Sequence, residues 1–89
     1  MKVIVRANES GVWYGELTDR ADDYGWVQLK DALHLWRWQT INGVSCAALA
    51  AEGINLKSSQ VSPAVASVII RNPCEINEVS AKAELSYVA

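Results

Sequence analysis

The chain opens on a β-branched run, Lys2 to Ala7, and the turn formers Asn8-Glu9-Ser10-Gly11 separate it from a second β-rich stretch, Val12 to Thr18. That order predicts a hairpin. In its second strand Trp13, Gly15 and Leu17 share one face while Val12, Tyr14, Glu16 and Thr18 share the other, and the mid-strand Gly15 marks a bulge or a close neighbour. A polar turn from Asp19 to Gly25 follows, after which Val27 and Leu29 alternate with Trp26, Gln28 and Lys30 as in a third strand.

The segment Asp31 to Ile41 fits two periods. Leu29, Leu33 and Trp36 are spaced as on a helix that Asp31 would cap. Strict alternation instead sets His34, Trp36, Trp38 and Thr40 on one side and Leu33, Leu35, Arg37, Gln39 and Ile41 on the other, and the Trp and Thr content favours the strand. Asn42-Gly43 is a turn, Ser45 an N-cap, and Cys46 to Glu52 a short helix ended by Gly53. Ile54 to Pro63 reads as a loop with an extended piece near Gln60 to Ser62. Val65 to Arg71 and Cys74 to Val79 are strands around an Asn72-Pro73 turn, and Ser80 caps a final helical turn over Ala81 to Leu85. The expected fold is a single α+β domain over residues 1–89. It is a small, mostly antiparallel β-sheet or partial barrel with one or two short helices.

Composition narrows the possible functions. Apolar residues make up 51% of the 89 positions, and a chain this short buries only roughly 60% of its unfolded surface, so some apolar area is expected to enter a homo-oligomer. No apolar run approaches the ~20 residues of a membrane span, and the N-terminus lacks the pattern of a secretory signal, which together imply no membrane and a cytoplasmic location. With 8 basic and 10 acidic residues in dispersed positions, the chain lacks the basic face that extended nucleic acid requires. Two or three convergent cations could still hold a small phosphorylated ligand. Cys46, Cys74 and a lone His34 are too few and too scattered for structural zinc, and no phosphate-binding, zinc-protease or nucleophile-elbow motif is present. The close carboxylate pairs, Asp22-Asp23 and Glu75 with Glu78, do not converge on one reacting atom. These features predict a non-enzymatic protein without cofactor or metal.

The distinctive chemistry is aromatic: four Trp and three Tyr with no Phe. Trp and Tyr pair an apolar body with a polar edge, which suits half-exposed platforms where a base stacks at about 1–3 kcal/mol. Trp36, Trp38 and Trp13 are therefore the candidate stacking residues, although a Trp-x-Trp pair more often fills a core or subunit contact. Arg6 and Arg37 are the candidate phosphate contacts. Arg37 points away from the Trp36/Trp38 face and needs a neighbouring subunit to bring it round, and Arg6 has a competing role as a rim ion pair with Glu16 or Asp19. His34 shares the Trp36/Trp38 face, where a packed, hydrogen-bonding imidazole is the commoner role than an acid or base.

Taken together the pattern resembles a family of small proteins encoded by bacteriophages and prophages and known only as a domain of unknown function. The resemblance rests on Val3-Ile4-Val5-Arg6, Gly11-Val12 with Gly15 and Leu17, Val27 and Leu29, and Ala32 with Leu35-Trp36-Arg37-Trp38. It continues through Ser45, Leu49-Ala50 and Gly53 to Glu75-Ile76, Ser80-Ala81 and Ala83. The chain departs from the family where two arginines usually precede the Trp-x-Trp element, carrying Leu33 and His34 there. The resemblance implies a phage origin. Small phage proteins that form closed oligomers without catalytic residues are similar in character to sponges that sequester nucleotide-derived immune signals, and the expected function follows that analogy: counter-defence by ligand capture. The alternatives are a module that blocks a host or defence protein and a small structural phage component.

Overall fold

The computed structural model describes residues 1–88. Six strands form the sheet: β1 Lys2–Ala7, β2 Gly11–Arg20, β3 Trp26–Arg37, β4 Gln60–Val61, β5 Val65–Arg71 and β6 Pro73–Glu78. Two short helices, α1 Cys46–Ala51 and α2 Ala81–Glu84, complete the fold, with 3-10 turns at Leu56–Ser58 and Leu85–Tyr87. All strand pairs are antiparallel. The fold is thus the mostly antiparallel small domain that the residue pattern predicts.

The two stretches read separately as Trp26 to Lys30 and Asp31 to Ile41 are one strand, and extended structure prevails over the helical alternative as far as Arg37. A bulge joins them. Tyr14 pairs with Leu33 and Glu16 with Lys30, so Gly15 alone faces Asp31 and Ala32, and Asp31 takes a left-handed φ of 52°. The bulge shifts the alternation by one, which puts Ala32 in the same core as Val27 and Leu29.

Strands β5 and β6 also differ from expectation. Asn72-Pro73 is not a reversal: β5 is antiparallel to β3 and β6 to β1, while β1 and β3 both run against β2, so β5 and β6 run in the same sense. They form one strand kinked at Asn72, whose φ is 53°, and its halves pair with opposite sides of the β3-β2-β1 core of the sheet. The sheet's edges are therefore linked covalently at this corner, and no ladder joins β5 to β6 among the described residues.

Because the sheet curls, its central strand β1 is buried on both faces. Val3, Val5 and Ala7 of β1 meet Val27, Leu29, Ala32 and Ile70 in one core. Ile4, Tyr14 and Leu35 meet Cys46, Leu49, Ala50, Ile54, Ala83 and Tyr87 in the other, under α1 and α2. A central strand buried on both sides reads as a continuous apolar run, which is why the first strand lacks clean alternation. Both helices begin on the predicted caps, with the hydroxyls of Ser45 and Ser80 accepting from the amides of Ala48 and Ala83.

Candidate functional site

Where β3 ends at Arg37, the chain turns under the sheet and is pinned there by polar contacts. The Gln39 amide donates to Ser59 Oγ at 2.9 Å, the Asn55 amide donates to the Gln39 carbonyl at 2.8 Å, and Thr40 bridges to Ile54. The alternation is already broken by a register shift between Leu35 and Arg37, which pair with the adjacent residues Val61 and Gln60, so Trp38 does not follow Trp36. It packs half-buried against the core that holds Leu35 and Leu49, while Trp36 stays 61% exposed and joins neither core. The expected two-tryptophan platform on one face does not form. The altered course brings Trp38 and Arg37 to one depression within a single chain, with no neighbouring subunit required.

Three depressions meet at Trp38. The largest, about 500 Å³, is lined by Arg6, Val12, Val44, Ser45, Cys46 and Glu75 with Trp38. A second, about 350 Å³, adds Arg37, Lys57 and the polar stretch Ser58 to Gln60. The third, about 250 Å³, runs between them along Gln39, Thr40, Gly43 and Val44. These volumes suit a small ligand, since such sites commonly measure ~300–1,000 Å³. A separate depression of about 420 Å³ beside β6 contains Glu75 and Glu78 but no lysine or arginine side chain.

The charges within the groove are unevenly placed. Arg6 and Glu75 are directly opposed in the β1–β6 ladder, yet no ion pair joins Arg6 to a carboxylate among the described residues. The rim pairing with Glu16 or Asp19 is not formed, because Glu16 is paired with Lys2 in register and binds the N-terminal ammonium. Asn77 Nδ2 donates to Glu75 Oε2 at 2.6 Å and orients that carboxylate. Burial pushes the Cys46 thiol up from its ordinary value, with Glu75 adding to the effect and Arg6 opposing it. Cys46 is therefore a thiol rather than a nucleophilic thiolate at neutral pH. At the other end Arg37 and Lys57 are both exposed, and no acidic residue lines their depression.

The remaining predicted residues lie elsewhere. Trp13 stacks on His34 with ring centroids 4.5 Å apart and 15° between planes, and its Nε1 donates to the Ser10 carbonyl at 2.9 Å. His34 thus packs against Trp13, which borders the core opposite Trp38. Lys57 belongs to the groove without having been singled out from the sequence, and Glu75, noted there only as a carboxylate near Glu78, was not expected beside Arg6. Glu75 reaches Arg6 only through strand pairing across most of the chain, and Lys57 sits on a 3-10 turn with no periodic signal. Among the described residues no group of three or more His, Cys, Asp or Glu is placed to hold a metal ion, and no helix is long and apolar enough to cross a membrane.

A family model described as "Domain of unknown function (DUF6948)" matches residues 1–87. No curated protein and no solved structure matches the chain.

Proposed function

Since the chain belongs to the DUF6948 family, whose description assigns no activity, we propose its function from the groove itself: non-enzymatic capture of a small nucleotide-like ligand. One observation carries the reading. Trp38 is the shared wall of depressions with Arg6 at one end and Arg37 with Lys57 at the other. An indole between separated cations matches a ligand made of an aromatic base and phosphate, with stacking supplying affinity and the Arg37–Lys57 end fixing the phosphate.

In this reading the protein is a phage counter-defence factor in the bacterial cytoplasm that sequesters a nucleotide-derived immune signal. The kinked β5–β6 strand makes its sheet a partial barrel, and the chain works as a homo-oligomer. Isothermal titration against cyclic nucleotides and ADP-ribose derivatives tests the proposal. Trp38→Ala is expected to weaken binding by about 5- to 150-fold, through loss of stacking worth about 1–3 kcal/mol, while Trp36→Ala retains it. Absence of heat with every member of the panel rejects the reading.

Trp36 favours a second reading. A tryptophan 61% exposed on a strand end has the character of an interface anchor, and a module that blocks a host or defence protein would use it as such. A pull-down that loses its protein in Trp36→Ala but keeps it in Trp38→Ala selects this second reading.

A further inference from the structure

The two ends of the groove differ in charge, and the difference orients the ligand. The Arg37–Lys57 end holds cations alone and suits phosphate. The Arg6 end also carries Glu75, whose carboxylate repels phosphate, and its other walls are Val12, Val44, Cys46 and Ser45, whose hydroxyl accepts from the Ala48 amide, beside Trp38. That end suits a neutral, flat group rich in hydrogen-bond donors. Building on the ligand-capture reading, we propose that Trp38, Glu75 and Arg6 form a base reader that selects guanine.

Donor and acceptor matching distinguishes the bases. The Watson–Crick edge of guanine presents one acceptor, O6, beside two donors, N1–H and the N2 amine. An arginine and a carboxylate meet that set completely: Arg6 donates to O6 and Glu75 accepts from N1–H and N2–H. Adenine offers one donor, its N6 amine, next to an acceptor at N1, so it leaves one carboxylate oxygen facing a lone pair. Hypoxanthine has O6 and N1–H but lacks the N2 amine, and falls between them. Asn77 holds Glu75 Oε2 at 2.6 Å, which fixes the carboxylate plane before any ligand arrives. Arg6 is unpaired with any carboxylate among the described residues, so base recognition does not require breaking an ion pair.

The test is titration of the full chain with the guanine, hypoxanthine and adenine forms of a nucleoside 5′-monophosphate, and with the cyclic dinucleotides of guanine and adenine. The expected order is guanine, then hypoxanthine, then adenine, with guanine ahead of adenine by about tenfold or more, the range of a charge-assisted hydrogen bond. Glu75→Gln presents one acceptor and one donor in the same shape and is expected to abolish or invert that ratio. Lys57→Ala should weaken every phosphorylated ligand alike and leave the ratio standing. Because the readout is a ratio within each variant, partial loss of folded protein does not change it. Equal binding of guanine and adenine forms, or a ratio that survives Glu75→Gln, overturns the base reader and leaves ligand capture in place. No binding of any of these nucleotides to the unaltered protein overturns the base reader, and ligand capture falls with it when the ADP-ribose derivatives give no heat either.

Discussion

Gly15 shows how one residue sets the course of the sheet. It faces the bulge at Asp31–Ala32, where a methyl group would meet Leu29 Cβ and the Lys30 carbonyl at 3.2 Å and Ala32 Cα at 3.3 Å. Two of these neighbours are backbone, so relief requires strands β2 and β3 to separate. Gly15→Ala is expected to cost about 1–3 kcal/mol of stability, read as a lower urea midpoint with unchanged slope, as for overpacking elsewhere. A close neighbour at Gly15 was legible in the sequence because glycine is a poor strand residue kept only where a side chain does not fit. The sides taken by Trp36 and Trp38 were not. Alternation predicts a shared face only while the register holds, and it shifts between Leu35 and Arg37, opposite Val61 and Gln60, residues far along the chain.

At the scale of elements, the C-terminal 3-10 turn is held to the sheet by a pair of tyrosines. Tyr87 stacks on Tyr14 with centroids 3.9 Å apart and 6° between planes, and its hydroxyl donates to the Leu49 carbonyl at 2.7 Å. The contact ties β2, α1 and the chain's last described turn into one core. Tyr87→Phe is expected to cost about 1 kcal/mol, since the Leu49 carbonyl stays buried without that donor, and thermal melting measures it. Burial pushes the Tyr14 phenol up to about 12, with Glu84 and Glu16 adding to the shift, and pushes Tyr87 up as well. An unfolded tyrosine ionises near 10, so the unfolded chain releases its phenolic protons first as pH rises. The stability due to the neutral phenols is thus fully present below about pH 10 and is lost as pH climbs towards 12. Tyr24 is 45% exposed, so the measurement uses Tyr24→Phe, in which tyrosinate absorbance should appear together with loss of circular dichroism; its appearance in still-folded protein of that variant would contradict the assignment. Helix caps were readable from local sequence at Ser45 and Ser80, whereas the Tyr14–Tyr87 stack joins the two ends of the chain and leaves no local trace.

For the whole molecule, the main issue is where the apolar half of the composition goes. A sheet buried on one face would leave much of it to a neighbouring subunit, but the kinked β5–β6 strand curls this sheet around a second core, and Val3, Val5, Val27, Leu29 and Ile70 are consumed there. Composition therefore argues less for self-association than the positions left outside both cores. Trp36 and Ile69 are 61% and 59% exposed on opposite sides of the β3–β5 region, and Val65 adds to the outer side at 37%. β5 also ends the ladder beyond β3 along Trp26 to Ala32, and its one charge is Arg71 at its last position, so Val65 to Ile70 lack the charged residues that commonly guard an open strand edge. A second copy that pairs along this edge would satisfy its free amides and carbonyls and cover Ile69 and Val65. Native mass spectrometry is expected to give a multiple of the 9.7 kDa chain. Ile69→Lys, on the exposed side of β5, should return the monomer mass without lowering the melting temperature of the monomer or the nucleotide ratio set at Glu75. If only the single-chain mass appears at every concentration, the edge is not used, and any ligand capture is the work of one chain.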